Sequence, residues 1–120
     1  MADDAFARRV EQYMKRGLDR KTAEYFAGGR KKIVSVQPGR DFTLLLEFDS
    51  GERRVYDCKP MLATGALFSA FADFENFKRV YLDELNNVAW DIDPSVDSTV
   101  VWSNKIDLCA DACYLDSRPA

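Results

Sequence analysis

The stretch KKIVSVQPGRDFTLLLEFDSGERRVYD, Lys31 to Asp57, reads as three β-strands joined by two tight turns. Ile33-Val34-Ser35-Val36 is a β-branched run closed by Pro38-Gly39, where proline sets φ and glycine admits the positive φ that a turn needs. From Phe42 to Phe48 the side chains alternate: Leu44, Leu46 and Phe48 share one face, and Thr43, Leu45 and Glu47 the other. Asp49-Ser50-Gly51 then turns the chain into a return strand, Glu52 to Asp57. A two-residue Ser50-Gly51 loop sets Leu46 opposite Val55 and Glu47 opposite Arg54. That register is favoured, because each matched cross-strand pair contributes about 0.2–1 kcal/mol. A three-residue loop slips the pairing by one and puts Leu46 against Arg54.

Downstream, Val80–Asp83 and Val88–Ile92 read as two more strands around an Asn86-Asn87 turn, and Val100-Val101-Trp102 as a sixth. Between the two groups, Pro60-Met61-Leu62 opens a connection, Gly65 precedes the apolar turn or helix Ala66–Phe71, and Asp73 caps a turn holding Phe74, Glu75 and Phe77. These aromatics at helical spacing read as the lid of a core. Upstream, Asp3 or Asp4 caps a helix from Ala5 to Arg16 whose stripe is Phe6, Val10, Tyr13 and Met14. Gly17 ends it, and Asp19 caps a second helix, Arg20 to Ala27, stopped by Gly28-Gly29. The expected fold is α+β: a helical arm over residues 1–30, then one domain over 31–120. That domain holds a mostly antiparallel sheet of five or six strands with short helices on one side.

Composition narrows the chemistry. A chain of 120 residues, 47% of them hydrophobic, suits one core that buries roughly two-thirds of the unfolded surface. No apolar run approaches the ~20 residues of a membrane span, and none follows Met-Ala-Asp-Asp, so a soluble cytoplasmic protein is expected. Cys58, Cys109 and Cys113 are an odd number and read as thiols. There is no histidine, which removes the commonest general base, the commonest metal ligand and the Ser-His and Cys-His nucleophile pairs. Asp91, Asp93, Asp107 and Asp111 are the remaining acid–base candidates, and they serve only if their environments separate their pKa values.

Asp91 to Asp97 offers oxygens at alternate positions as a calcium loop does. Val96 stands where such a loop needs glycine, however, and Trp102 where it needs glutamate. Cys109 and Cys113 lack the C-x-x-C spacing of a redox or zinc site; on a helical turn they share a face and read as small buried hydrophobes. The expectation is a non-enzyme without cofactor or metal.

Two surfaces remain. Trp90, Trp102, Asn104 and Asp107 form a candidate interface for a protein partner or a second copy, since tryptophans beside polar groups are common anchors. Arg8, Arg9, Lys15, Arg16, Arg30, Lys31 and Lys32 form a candidate basic surface for nucleic acid. Residues 1–32 hold nine Lys/Arg against five Asp/Glu, and residues 33–120 eight against fifteen, so an acidic body opposes phosphate approach. Binding of nucleic acid by the arm is therefore expected to be weak and salt-sensitive.

Val34-x-Val36, Asp41–Leu46-x-Phe48-x-x-Gly51-Glu52, Tyr56-Asp57, Phe77 and Trp102-Ser103-Asn104-Lys105-Ile106-Asp107-Leu108 together resemble the bacterial domain-of-unknown-function 2442 family, over about Lys32 to Tyr114. The resemblance implies a small α+β domain with a mostly antiparallel sheet. Through relatives with a helix-turn-helix domain or a toxin-like partner, it also implies a regulator or antitoxin. It supplies no catalytic residue. The sequence departs from the family's simplest pattern in its arm, residues 1–30, and in Trp90–Thr99.

Overall fold

The computed structural model describes residues 2–63 and 70–120. Most of the apolar segment anticipated at Ala66–Phe71, and Gly65 before it, lie outside the described residues. The chain divides into two compact units, Met1–Arg30 and Lys31–Ala120.

The first unit is a helical hairpin of α1, Ala2–Lys15, and α2, Arg20–Ala27. Because α1 starts at Ala2, neither Asp3 nor Asp4 is its cap, and Asp4 lies in its first turn, where negative charge suits the helix dipole. Gly17, at φ 100°, ends α1, a left-handed conformation open to glycine without steric cost. Asp19 caps α2 as expected, its carboxylate accepting the Thr22 amide at 2.8 Å. Val10 is buried against Ala23 and Ala27, whose small side chains let the helices approach closely. Phe6 and Met14 remain 36% exposed, so the anticipated stripe is closed only at its centre.

In the second unit, β1 (Ile33–Pro38), β2 (Thr43–Phe48), β3 (Arg53–Asp57) and β7 (Arg118–Pro119) form one antiparallel sheet in that order. A second antiparallel sheet comprises β4 (Tyr81–Leu82), β5 (Val88–Asp91) and β6 (Lys105–Leu108). The single sheet anticipated is thus two, and Val100-Val101 is not a strand. Trp102–Asn104 forms a 3-10 turn, and the pairing segment begins at Lys105. The short helices are α3 (Lys59–Leu62), α4 (Phe74–Phe77), capped by Asp73 at the Glu75 amide, and α5 (Ala110–Leu115).

Three hairpins use one device, a three-residue loop whose last residue is left-handed. It is Phe42 at φ 61° between β1 and β2, Gly51 at φ 86° between β2 and β3, and Asn86 at φ 61° between β4 and β5. Each loop is closed by the same pair of backbone bonds, for example Phe48 N–H to the Glu52 carbonyl at 2.9 Å and Gly51 N–H to the Phe48 carbonyl at 2.8 Å. The Asn86 turn is as expected.

The first two hairpins correct the sequence reading. Gly39 does not carry the positive φ of its turn. A Cβ there would stand 2.8 Å from Thr43 Oγ1 and 2.9 Å from Asp41 Oδ1, so those side chains would have to shift to admit one. At the second, Leu46 faces Arg54 and Glu47 faces Arg53, the slipped register. A polar partner is tolerated there because Arg54, only 8% exposed, is fully engaged. Its Nε donates to Ser117 Oγ at 2.7 Å, Nη2 to the Ser117 carbonyl at 2.6 Å and Nη1 to Glu52 at 2.8 Å. Its plane also stacks 4.5 Å from the Tyr114 ring centroid.

Both sheets share one core. Leu44, Leu46 and Phe48 of β2 meet Ile33, Phe71, Phe77, Val88, Trp90 and Ile106. Each fully buried Leu or Phe among them contributes about 1.5–3 kcal/mol. Trp90 is completely buried, 5.5 Å from the Phe71 ring and 5.8 Å from the Phe77 ring, and its indole N–H donates to the Phe77 carbonyl at 2.9 Å.

Candidate functional site

The segment between β5 and β6, residues 92–104, carries the most exposed aromatic side chain of the described residues. Its base is the pair Asp91 and Lys105, the last rung of the β5–β6 ladder. Above that rung Ile92 N–H donates to the Asn104 carbonyl at 2.7 Å. The Asn104 side chain, 8% exposed, then holds the loop from inside. Its Oδ1 accepts the Asp93 amide at 2.9 Å. Its Nδ2 donates to the Asp93 and Val96 carbonyls at 3.0 and 3.2 Å and to Ser98 Oγ at 3.0 Å.

The acidic residues of the loop close local turns of their own. Asp93 accepts from the Ser95 amide and hydroxyl at 3.0 and 2.7 Å, and Asp97 from the Thr99 amide and hydroxyl at 2.9 and 2.6 Å. These bonds hold both carboxyls below the usual range. Asp91 accepts from Tyr81 Oη at 2.7 Å and Ser98 Oγ at 2.6 Å. Burial, with the Asp91 bond and charge, pushes the Tyr81 hydroxyl pKa up, so it stays a donor. One oxygen of each of Asp91, Asp93 and Asp97 therefore already accepts from hydroxyls or amides of the chain. Among the described residues no group of three or more Cys, Asp or Glu is gathered to hold a metal ion.

Held this way, the loop presents Val100 at 76%, Val101 at 44% and Trp102 at 81% exposure. Beside them lies a groove of about 430 Å³ lined by Tyr81, Glu84, Ser98, Thr99, Trp102 and Lys105. Lys105 Nζ stands 2.9 Å from Asp83 Oδ2 and 3.6 Å from Glu84 Oε1. Burial alone would raise the pKa of Asp83, whose side chain is 1% exposed. The Lys105 bond and the Asn87 and Leu85 amides outweigh it and hold the carboxyl down.

The four candidate interface residues thus separate. Trp90 is a core side chain and offers a partner nothing, and Asn104 is the internal brace of the loop. Trp102 is exposed, and Asp107 is exposed on β6. The seven candidate basic residues separate too: Arg8, Arg9, Lys15, Arg16 and Arg30 belong to the first unit, Lys31 and Lys32 to the second. Arg9 Nε donates to the Ala27 carbonyl at 3.1 Å, and Lys31 Nζ lies 4.6 Å from the Tyr114 ring centroid. Of the three free thiols, Cys58 and Cys113 are buried and pushed up to about 12 by that burial, whereas Cys109 is exposed at the start of α5. Cys109 and Cys113 therefore do not share a buried face.

Composition gave no signal for Tyr81, Ser98 or Glu84, and the exposure of Val100 and Val101 was masked by their resemblance to a strand.

The family described as "Protein of unknown function (DUF2442)" matches residues 33–118, more than two thirds of the chain. The chain belongs to this family. The DUF2442 span opens on the first residue of β1 and reaches β7, so both sheets and the Trp102 loop lie inside it, while α1 and α2 lie outside. No curated protein and no solved structure matches the chain. Among the described residues no helix is long and apolar enough to cross a membrane.

Proposed function

We propose that this DUF2442 protein is a non-enzymatic interaction module that holds a protein partner on the knuckle formed by Val100, Val101 and Trp102. The observation that carries the reading is an 81% exposed tryptophan on a backbone braced by a buried asparagine. Tryptophans dominate interface hot spots, and a preordered loop loses little conformational freedom on binding. Asp83, Asp91, Asp93 and Asp97 accept from Lys105, hydroxyls and amides, and the chain has no histidine, which supports binding over acid–base catalysis. Three free thiols favour a cytoplasmic setting.

The test compares wild type with Trp102→Ala, both immobilised and exposed to extract of the native cell at low and at high salt. A protein held by the wild type and lost from the folded variant supports the reading. Equal retention by both, or none by either, overturns it, and nucleic acid recovered only at low salt moves the assignment to the arm.

A further inference from the structure

We infer that the Trp102 groove takes a cationic, apolar-anchored segment of its partner, with a lysine or arginine head beside the indole and its counter-ion in Glu84. This rests on the interaction reading and adds the chemistry of the partner. The argument is charge complementarity around an apolar centre. At the groove and the one adjoining it the structure places one cation, Lys105, against the carboxylates Asp83, Glu84, Asp91 and Asp97. The single positive charge is already shared between Asp83 and Glu84.

A second groove, of about 520 Å³, adjoins the first through Tyr81, Ser98 and Thr99 and adds Asp91 and Asp97 to its walls. The indole at 81% exposure therefore lies beside grooves walled by Glu84, Asp91 and Asp97, with Lys105 the cation among their lining residues, and Glu84 is itself 75% exposed in its side chain. A cation within about 6 Å of an indole face is attracted by the ring quadrupole, and a nearby carboxylate adds to that attraction. An acidic segment meets repulsion at the same place. Val100 and Val101 supply the apolar surface on which the rest of the segment lies.

Two measurements on the full chain test this. In collisional quenching, with each quencher scaled to its efficiency on free N-acetyltryptophanamide, caesium should reach the exposed indole more effectively than iodide at low salt, and the difference should fade at high salt because exposed charges are screened. Equal quenching, or preference for iodide, overturns the proposal. In titration calorimetry, a short amphipathic lysine–leucine peptide is compared with its glutamate–leucine counterpart. Saturable binding of the basic peptide alone is expected, weakened at least about tenfold in Trp102→Ala and about threefold in Glu84→Gln. No binding, binding of both peptides alike, or binding indifferent to Trp102 overturns it. Should extract yield a Trp102-dependent partner whose contact segment is acidic or uncharged, the interaction reading stands and this inference falls; if nothing depends on Trp102, both fall.

Discussion

Asn104→Asp isolates the brace of the Trp102 loop with almost no change of shape. One oxygen still accepts the Asp93 amide. The other replaces an amide donor and points at the Asp93 and Val96 carbonyls and Ser98 Oγ, all within 3.2 Å of the present nitrogen. Losing two to three hydrogen bonds removes about 2–3 kcal/mol. Setting a buried negative charge against carbonyl oxygens adds about 1–2 kcal/mol more. The variant should thus lose about 3–5 kcal/mol at neutral pH, a large part of the 5–15 kcal/mol typical of a domain.

The sign with pH follows from the same contacts. The introduced carboxyl is held in the charged form less readily folded than unfolded, so its folded pKa is raised. The penalty is absent below the unfolded value near 4, grows as pH rises through the folded pKa, and is constant above it. The assay is urea unfolding followed by far-ultraviolet circular dichroism, with wild type subtracted at each pH. A variant within about 0.5 kcal/mol of wild type at neutral pH, or one whose deficit does not shrink in acid, would refute the role given to Asn104.

Other consequences are simpler to measure. Gly51→Ala places a side chain in open space at φ 86°, so it should lose about 1–2 kcal/mol in the same urea assay from backbone strain alone. Trp90→Ala should lose about 3–5 kcal/mol and Trp102→Ala less than about 0.5, and a large loss from Trp102 would show that its ring stabilises the loop. With a thiol-specific disulfide reagent, Cys109 should react promptly in the folded protein, and Cys58 and Cys113 only as the core opens. Prompt reaction of all three would contradict their burial.

Strands β1, β2 and β3 were legible because they combine alternation with Gly and Pro punctuation, and α2 because Asp19 caps it, whereas the two-residue β7 was not anticipated. What was missed turns on single side chains in tertiary context. The register between β2 and β3 follows from Gly51 taking the third loop position, and cross-strand matching pointed the other way. That preference had no sight of Ser117 and Tyr114, which make a buried Arg54 acceptable opposite Leu46. Likewise Phe42 shows no sequence sign of a left-handed conformation; its ring, 5.2 Å from Phe77, holds it there against the usual penalty. Trp90 and Trp102 are indistinguishable as residue types. Strand β5 buries one and the 3-10 turn exposes the other.

The same contrast bears on function. Three hairpins are closed by paired backbone bonds across three residues, too short to offer a surface of their own. The connection of β5 to β6 is longer, and beyond its backbone bonds it is held by side chains: Asn104 inside, Asp91 at the base, Asp93 and Asp97 at the local turns. Every one of these braces is polar, so the loop holds its shape without burying Val100 or Trp102, which remain 76% and 81% exposed. An apolar side chain that folding does not bury gains stability only from something that covers it later. On the interaction reading proposed above, the loop keeps that gain for a partner, and the carboxylates that brace it stand beside the same surface.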